Sequence, residues 1–240
     1  MKSGCFYGIG VGPGDPELMT VKATRILAAC GHVFTPRPET NNNSLALDIA
    51  RQFIRQDAQI HLLTFPMTAD AEVLSQQWSA AARSILDILE QGEDVCFLTL
   101  GDALLYSTYI YLLRELKIQA PDLEVTTVPG VNSFSAAAAL TDFSLGEGKE
   151  NLCIVPTADA LGAVRQALSG GGTVVLMKVG RRLPAILRLL DEEHLLEHAV
   201  FVAHAGRPEQ HVETDLRKLL GDDAKAGYLS VILVHCGKRS

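Results

Sequence analysis

No run of the 240 residues comes near the roughly 20 unbroken apolar positions that a bilayer-spanning helix needs. The N-terminus also lacks a charged start followed by a long apolar stretch, so no secretory leader is expected and the cytoplasm is the expected compartment. Cysteine is scarce. The five residues Cys5, Cys30, Cys96, Cys153 and Cys236 are odd in number, scattered and mostly within apolar strands, which argues against a disulfide framework and reads as reduced packing residues. Positive charge is in deficit, with 21 Lys and Arg against 28 Asp and Glu and a net charge of −7. Nucleic acid and anionic membranes both require a basic field, so neither is an expected partner. An anionic small substrate would have to be met by a local basic patch.

What is present is apolar material, 48% of the residues, enough for well-formed cores. Short apolar runs alternate with helical patterns: 5–11 then 20–29, 32–35 then 44–56, 59–65 then 69–90, and 95–100 then 104–116. That alternation predicts an α/β fold with a largely parallel sheet. A strand over 124–128 precedes Pro129-Gly130, and an alanine-rich helix over 133–140 follows. The second half adds strands at 152–155, 173–179, 199–203 and 228–235, with helices at 160–168, 182–193 and 214–219. Two α/β domains are expected, 1–128 and 129–240, with mainly parallel or mixed sheets and an inter-domain cleft for a ligand. The polar stretches 39–43 and 146–150 read as exposed loops.

The first strand runs into Tyr7-Gly8-Ile9-Gly10-Val11-Gly12-Pro13-Gly14-Asp15-Pro16. Glycine has no Cβ and reaches positive φ cheaply, so four at alternate positions belong to a loop whose backbone approaches something closely. Asp15-Pro16 supplies an N-cap and a proline at the first helical position. A Walker loop is excluded because its Gly-Lys-Ser/Thr ending is missing. A Rossmann loop fits poorly, since the third glycine is displaced and the strand at 32–35 ends without a carboxylate. A tight turn without a ligand is the plain alternative.

Two further strand ends are marked by glycine. Thr99-Leu100-Gly101-Asp102 is followed by a helical pattern, and Asp102 reads either as its N-cap or as a carboxylate for a cationic or hydroxyl-bearing ligand. Val128-Pro129-Gly130-Val131-Asn132-Ser133-Phe134 opens the alanine-rich helix. Three strand ends carrying Asp15, Asp102 and Ser133, with no basic residue, describe a pocket for a ligand that is not phosphate-rich. His194 and His198 would share a helix face at zinc spacing if the helix reached them, but no third ligand is evident and no metal is expected. His204, His211, Tyr106, Tyr109 and Tyr111 are candidates to line a substrate.

Gly10-Val11-Gly12-Pro13-Gly14-Asp15, Leu100-Gly101-Asp102 with Tyr106-Ser107-Thr108, and Val128-Pro129-Gly130 with Ser133-Phe134 together resemble the tetrapyrrole methylases. This is a two-domain family of S-adenosylmethionine-dependent enzymes of corrin and sirohaem synthesis. Residues 175–181 and 228–234 also fall where the family has them, so the likeness spans essentially the whole chain. The family usually has proline where this chain has Ala103. Thr64-Phe65-Pro66-Met67-Thr68, the segment 106–112 and Met177-Lys178-Val179-Gly180-Arg181 are most similar to the branch that methylates C20 of precorrin-2 or cobalt-factor II.

The resemblance implies S-adenosyl-L-methionine as methyl donor, in contact with Pro13, Gly101, Asp102, Leu105, Ser133, Phe134, Met177 and Ser230. It implies a tetrapyrrole substrate whose carboxylate arms need cations, with Lys178, Arg181 and Arg207 the favoured residues and Arg182 and Arg37 further candidates. Asp102, Tyr106 and His204 are the candidate catalytic residues, any of which could take up the proton lost from the methylated carbon. A homodimer goes with the family. Methylation at another ring position, a same-fold protein or RNA methyltransferase, and a non-catalytic sensor of either ligand are the competing functions.

Overall fold

A computed structural model describes residues 3–37, 44–65, 70–157, 161–220 and 229–237. The exposed loop expected over 39–43, residues Pro66, Met67 and Thr68 of the C20-like segment, and Tyr228 lie outside the described residues. The chain divides into two compact units, Met1–Val131 and Asn132–Ser240.

The first unit contains β1 (Phe6–Gly10), α1 (Val21–Ala29), β2 (His32–Arg37), α2 (Leu45–Ala50), β3 (Gln59–Thr64), α3 (Ala71–Leu89), β4 (Val95–Thr99), α4 (Tyr109–Gln119) and β5 (Val125–Val128). Its sheet has the order β3-β2-β4-β1-β5 with every pairing parallel. Parallel strands covered on both faces read as unbroken apolar runs, and β4, Val-Cys-Phe-Leu-Thr, is buried throughout. Ile9, Cys96, Leu98 and Val128 face a core with α1 and α2, whereas Phe6, Val95 and Phe97 face one with α3 and α4. The sides follow from the order of the strands. The chain moves one way across the sheet from β1 to β3 and the other way from β3 to β5, and right-handed crossovers therefore send the two helix pairs to opposite faces. The loops leaving β1 and β4, neighbours in the sheet, part at this point, where open α/β sheets hold their ligands.

The second unit contains α5 (Ser133–Thr141), β6 (Leu152–Pro156), α6 (Gly162–Ser169), β7 (Thr173–Met177), α7 (Leu183–Glu192), β8 (Ala199–Ala203), β9 (His211–Glu213) and β10 (Ser230–His235). Its sheet, β6-β7-β10-β8-β9, is mixed: β6 and β7 are parallel, and β10 runs antiparallel between β7 and β8. One face carries the core formed with α6 and α7, and α5 packs against β8 and β10.

Several sequence expectations need correction. The helix expected from Leu104 starts at Tyr109, because Ser107 Oγ donates to Ala103 O (2.8 Å) and accepts from Tyr109 N–H (3.0 Å) while Tyr106 turns to φ +51°. Local side-chain bonds of this kind compete with the helical ladder. The segment expected as a helix over 44–56 is α helix only to Ala50, and 214–219 is one short 3-10 turn over Leu216–Leu219. β9 was not expected, and Cys153 on β6 is exposed rather than packed. Helix α7 stops at Glu192 and His194 adopts φ +56°, so His194 and His198 do not share a helix face.

Across the β2–β3 pair, His32 Nδ1 and His61 Nε2 lie 3.2 Å apart and the His61 ring stacks on Phe34 at 4.2 Å. Burial, with the neighbouring His32 adding to it, makes the His61 imidazole harder to protonate than usual. An unfolded histidine takes up its proton near about pH 6.5. Below that pH the unfolded chain gains a proton that the fold resists, so this site stabilises the fold above about pH 6.5 and the contribution is lost on acidification. The thermal midpoint of the wild type is expected to fall more steeply between about pH 7 and pH 5.5 than that of His61→Phe, which keeps the stacking. Equal slopes would remove His61 as the cause.

Candidate active site

The carboxyl ends of β4, β1 and β5 are closed onto one another by backbone. Gly12 N–H donates to Gly101 O at 3.2 Å and Gly101 N–H returns a bond to Gly12 O at 2.7 Å, joining the two loops that part to opposite faces. A Cβ on Gly130 would stand 2.1 Å from Gly101 O and 2.8 Å from the Gly10 carbonyl carbon, and one on Gly8 would stand 2.1 Å from the Tyr109 ring. The close approach that the glycines permit is thus, at Gly8, Gly10 and Gly130, an approach of protein to protein. Gly101 differs: at φ +70° its open side meets nothing within 4 Å.

Asp102 is neither a helix N-cap nor a carboxylate with unused oxygens. Its Oδ1 accepts Leu104 N–H at 2.9 Å, which closes a turn, and its Oδ2 accepts Gly130 N–H at 3.0 Å, which ties the β4 loop to the β5 loop. Around it, Pro13 is buried, Leu105 is half-buried, and Tyr106 is 43% exposed. Asp15 has the capping role read from the sequence, with Oδ1 accepting Glu17 N–H at 2.8 Å at the head of the 3-10 turn Pro16–Leu18. Tyr109 does not line a substrate. It is fully buried beneath Gly8, its hydroxyl 2.6 Å from Thr127 Oγ1, and burial raises its phenol above the ordinary range. Tyr111 is exposed and stacks on Trp78 with ring centroids 5.7 Å apart.

A second group lies at one edge of the other sheet. Because β10 is antiparallel, it begins where β7 and β8 end, so Val231 pairs with Met177 and Ser230 with Ala203. Met177, Lys178, Ser230 and His204 are therefore neighbours. The Ser230 side chain is 1% exposed and its Oγ accepts Gly180 N–H at 3.1 Å, so it braces the 178–180 turn. His204 N–H bonds Leu229 O at 2.8 Å, and Arg207 N–H bonds His204 O at 3.0 Å. The Arg207 Nε is buried without a hydrogen bond, 3.4 Å from Glu209 Oε2. Arg181 is exposed and Arg182 half-buried in the 3-10 turn before α7, and Arg37 Nε donates to Thr64 Oγ1 at 2.8 Å in the first unit. His211 lies in β9 with its ring edge-on to Phe201, not in a loop. Ser133 and Phe134 open α5; Asn132 holds the cap position without a side-chain bond, and Phe134 is buried.

Among the described residues, three of the five non-glycine residues with positive φ are Tyr106 (+51°), Lys178 (+60°) and His204 (+51°). Left-handed backbone costs an ordinary residue roughly 1 kcal/mol or more and concentrates at functional sites. These are residues the sequence singled out, although their backbone state was not legible there. Sequence reasoning missed the mutual contact of Gly10, Gly101 and Gly130; the signal was a glycine at each of three strand ends.

Residues 5–220 match the model of the Tetrapyrrole (Corrin/Porphyrin) Methylases. The chain belongs to this family. Among its tetrapyrrole methylase relatives, the cobalt-precorrin-2 C(20)-methyltransferase of Salmonella typhimurium is 36% identical over 234 residues, 97% of both chains. The precorrin-2 C(20)-methyltransferase of a Sinorhizobium species is 29% identical over 240 residues, 96% of this chain and 95% of that one. The fold is shared with uroporphyrin-III C-methyltransferase from Thermus thermophilus, solved with S-adenosyl homocysteine (TM-score 0.66, 18% identity, 97% of each chain).

Substitutions at Asp102 and Gly130 test this geometry. Asparagine offers one acceptor oxygen where Asp102 uses two, so Asp102→Asn is expected to lower stability by about 1 kcal/mol or more, and Asp102→Ala by more. Chemical denaturation measures it; an unchanged midpoint with lost activity would return the residue to a charge-based role. Gly130→Ala forces a methyl into the Gly101 carbonyl and is expected to cost about 2 kcal/mol or more, against near neutrality at Gly31→Ala, where nothing lies within 4 Å.

Proposed function

We propose that the protein is an S-adenosylmethionine-dependent C-methyltransferase that methylates C20 of precorrin-2 or its cobalt complex in corrin biosynthesis. The observation that carries this reading is 36% identity to a cobalt-precorrin-2 C(20)-methyltransferase across 97% of both chains. S-Adenosylmethionine supplies an activated methyl on a sulfonium, and the protein's part is to bring donor and acceptor together in line. The residues suit such a donor. The glycine-marked ends of β1 and β4 leave an open face at Gly101, and no lysine or arginine stands in residues 8–16 or 99–108 to recruit a nucleoside phosphate.

Pro13, Gly101, Asp102 and Leu105 of the first unit, with Ser133, Phe134, Met177 and Ser230 of the second, are the residues proposed for the donor. Asp102 and Ser230 would act there through the backbone they hold, because their side chains are engaged internally. Lys178, Arg181 and Arg207 are proposed to meet the carboxylate arms of the tetrapyrrole, charge-assisted bonds for which arginine forks and a lysine ammonium are suited. For the proton lost from C20, Asp102, Tyr106 and His204 are the candidate acceptors, and each Asp102 oxygen already accepts one N–H bond. A cytoplasmic homodimer accompanies the reading on family grounds.

Incubation with S-adenosylmethionine and either metal-free or cobalt-loaded precorrin-2 tests it by mass spectrometry. Gain of one methyl at C20 is the expected result, with the cobalt form preferred in line with the relative of higher identity. Absence of mass gain on both forms would overturn the assignment.

A further inference from the structure

Lys178 sits between two pinned peptides, and the residue that pins the first is Thr157. At the end of β6, Thr157 is 3% exposed and gives both of its donors to one acceptor: its N–H lies 2.9 Å and its hydroxyl 3.0 Å from Met177 O. The N–H bond continues the parallel β6–β7 ladder, in which Pro156 pairs with Met177. The hydroxyl bond is additional. On the other side of Lys178, Ser230 O accepts Val179 N–H at 3.4 Å and Ser230 Oγ accepts Gly180 N–H at 3.1 Å. The Met177 carbonyl belongs to the peptide plane that precedes the Lys178 N–Cα bond. With that plane fixed and φ held at +60°, the direction of the Lys178 Cα–Cβ bond is set.

A lysine carries a flexible four-carbon stem and loses rotamer freedom whenever it must reach a defined place. Fixing its base leaves only the side-chain torsions to be ordered on binding, and it also maintains a left-handed backbone that an unsupported lysine would leave. We propose that Thr157 is a positioning residue for the tetrapyrrole substrate, acting through Lys178: its hydroxyl holds the Met177–Lys178 peptide so that the ammonium is presented to a substrate carboxylate. The proposal rests on the functional reading above.

Thr157→Val keeps the shape and removes only the hydroxyl, and Thr157→Ser restores it. Binding of precorrin-2 and of S-adenosylmethionine is titrated separately for the wild type, both Thr157 variants, Lys178→Ala and the double variant Thr157→Val/Lys178→Ala, together with their melting temperatures. The valine variant is expected to bind the tetrapyrrole about three- to tenfold more weakly, the size of one modest hydrogen-bond contribution, with S-adenosylmethionine affinity within about twofold of wild type. Serine is expected to recover most of the loss. In the Lys178→Ala background the valine change is expected to cost nothing further, because a residue that acts through Lys178 has nothing left to orient. If valine folds poorly, Thr157→Ala takes its place in the same cycle. Equal weakening of both ligands, or the same tetrapyrrole loss with Lys178 absent, overturns the proposal. A wild type that neither binds nor methylates precorrin-2 overturns the functional reading, and the proposal with it, whereas a wild type that does both and a valine variant indistinguishable from it overturn the proposal alone.

Discussion

The paired bonds between Gly12 and Gly101 hold together two loops that the topology drives apart. The chain leaves β1 for one face of the first sheet and β4 for the other, so without a bridge the space between them would be open and floppy at its base. Backbone can close so short a gap only if no side chain intrudes at Gly10 and Gly130, whose Cβ atoms would meet the Gly101 carbonyl, and only if residue 101 holds φ +70°, which glycine does at little cost. Asp102 then extends the closure to the β5 loop by accepting Gly130 N–H. What this builds is a rigid floor, on which Tyr106 and Leu105 can be held in fixed places.

The second unit reaches a comparable end by another route. Its strand edge is fixed by an antiparallel strand entering between two others, and the turn after β7 is braced from both sides by hydroxyl and backbone groups. In both units the price is local strain. Tyr106, Lys178 and His204 each occupy a backbone region that suits glycine, and each is surrounded by hydrogen bonds that keep it there. Strain of this sort persists where neighbouring structure over-determines it.

Much of the fold was legible because its signals are periodic or compositional. The apolar runs of β1, β2, β4, β7, β8 and β10 stand out against helical patterns, and glycine marks three strand ends in the first half. Legibility failed where one side chain redirects the backbone. Nothing in Leu104-Leu105-Tyr106-Ser107 forbids a helix by propensity; it is the Ser107 hydroxyl, bonded to Ala103 O and Tyr109 N–H, that delays it. The tie from Asp102 to Gly130 was not legible for a similar reason, since that partner lies 28 residues away along the chain and only the closed strand ends bring it near. Tyr109 was placed on a ligand surface because tyrosines cluster there in sequence, yet the absence of a side chain at Gly8 draws it inside.

The position of β10 has a consequence for how the protein is made. The first strand-end group draws on residues 10 to 130, all of which are made before the strands of the second unit, and its sheet is a run of crossovers between strands already present. The second group is incomplete until Ser230 arrives, because the strand that separates β7 from β8 is the last among the described residues. Until then β7 and β8 each expose an unsatisfied edge of apolar residues to whatever else is in solution. A nascent chain stalled or truncated before residue 230 would thus hold one finished half and one adhesive half, and the vulnerable period of its biosynthesis is set by the translation of the segment between β8 and β10.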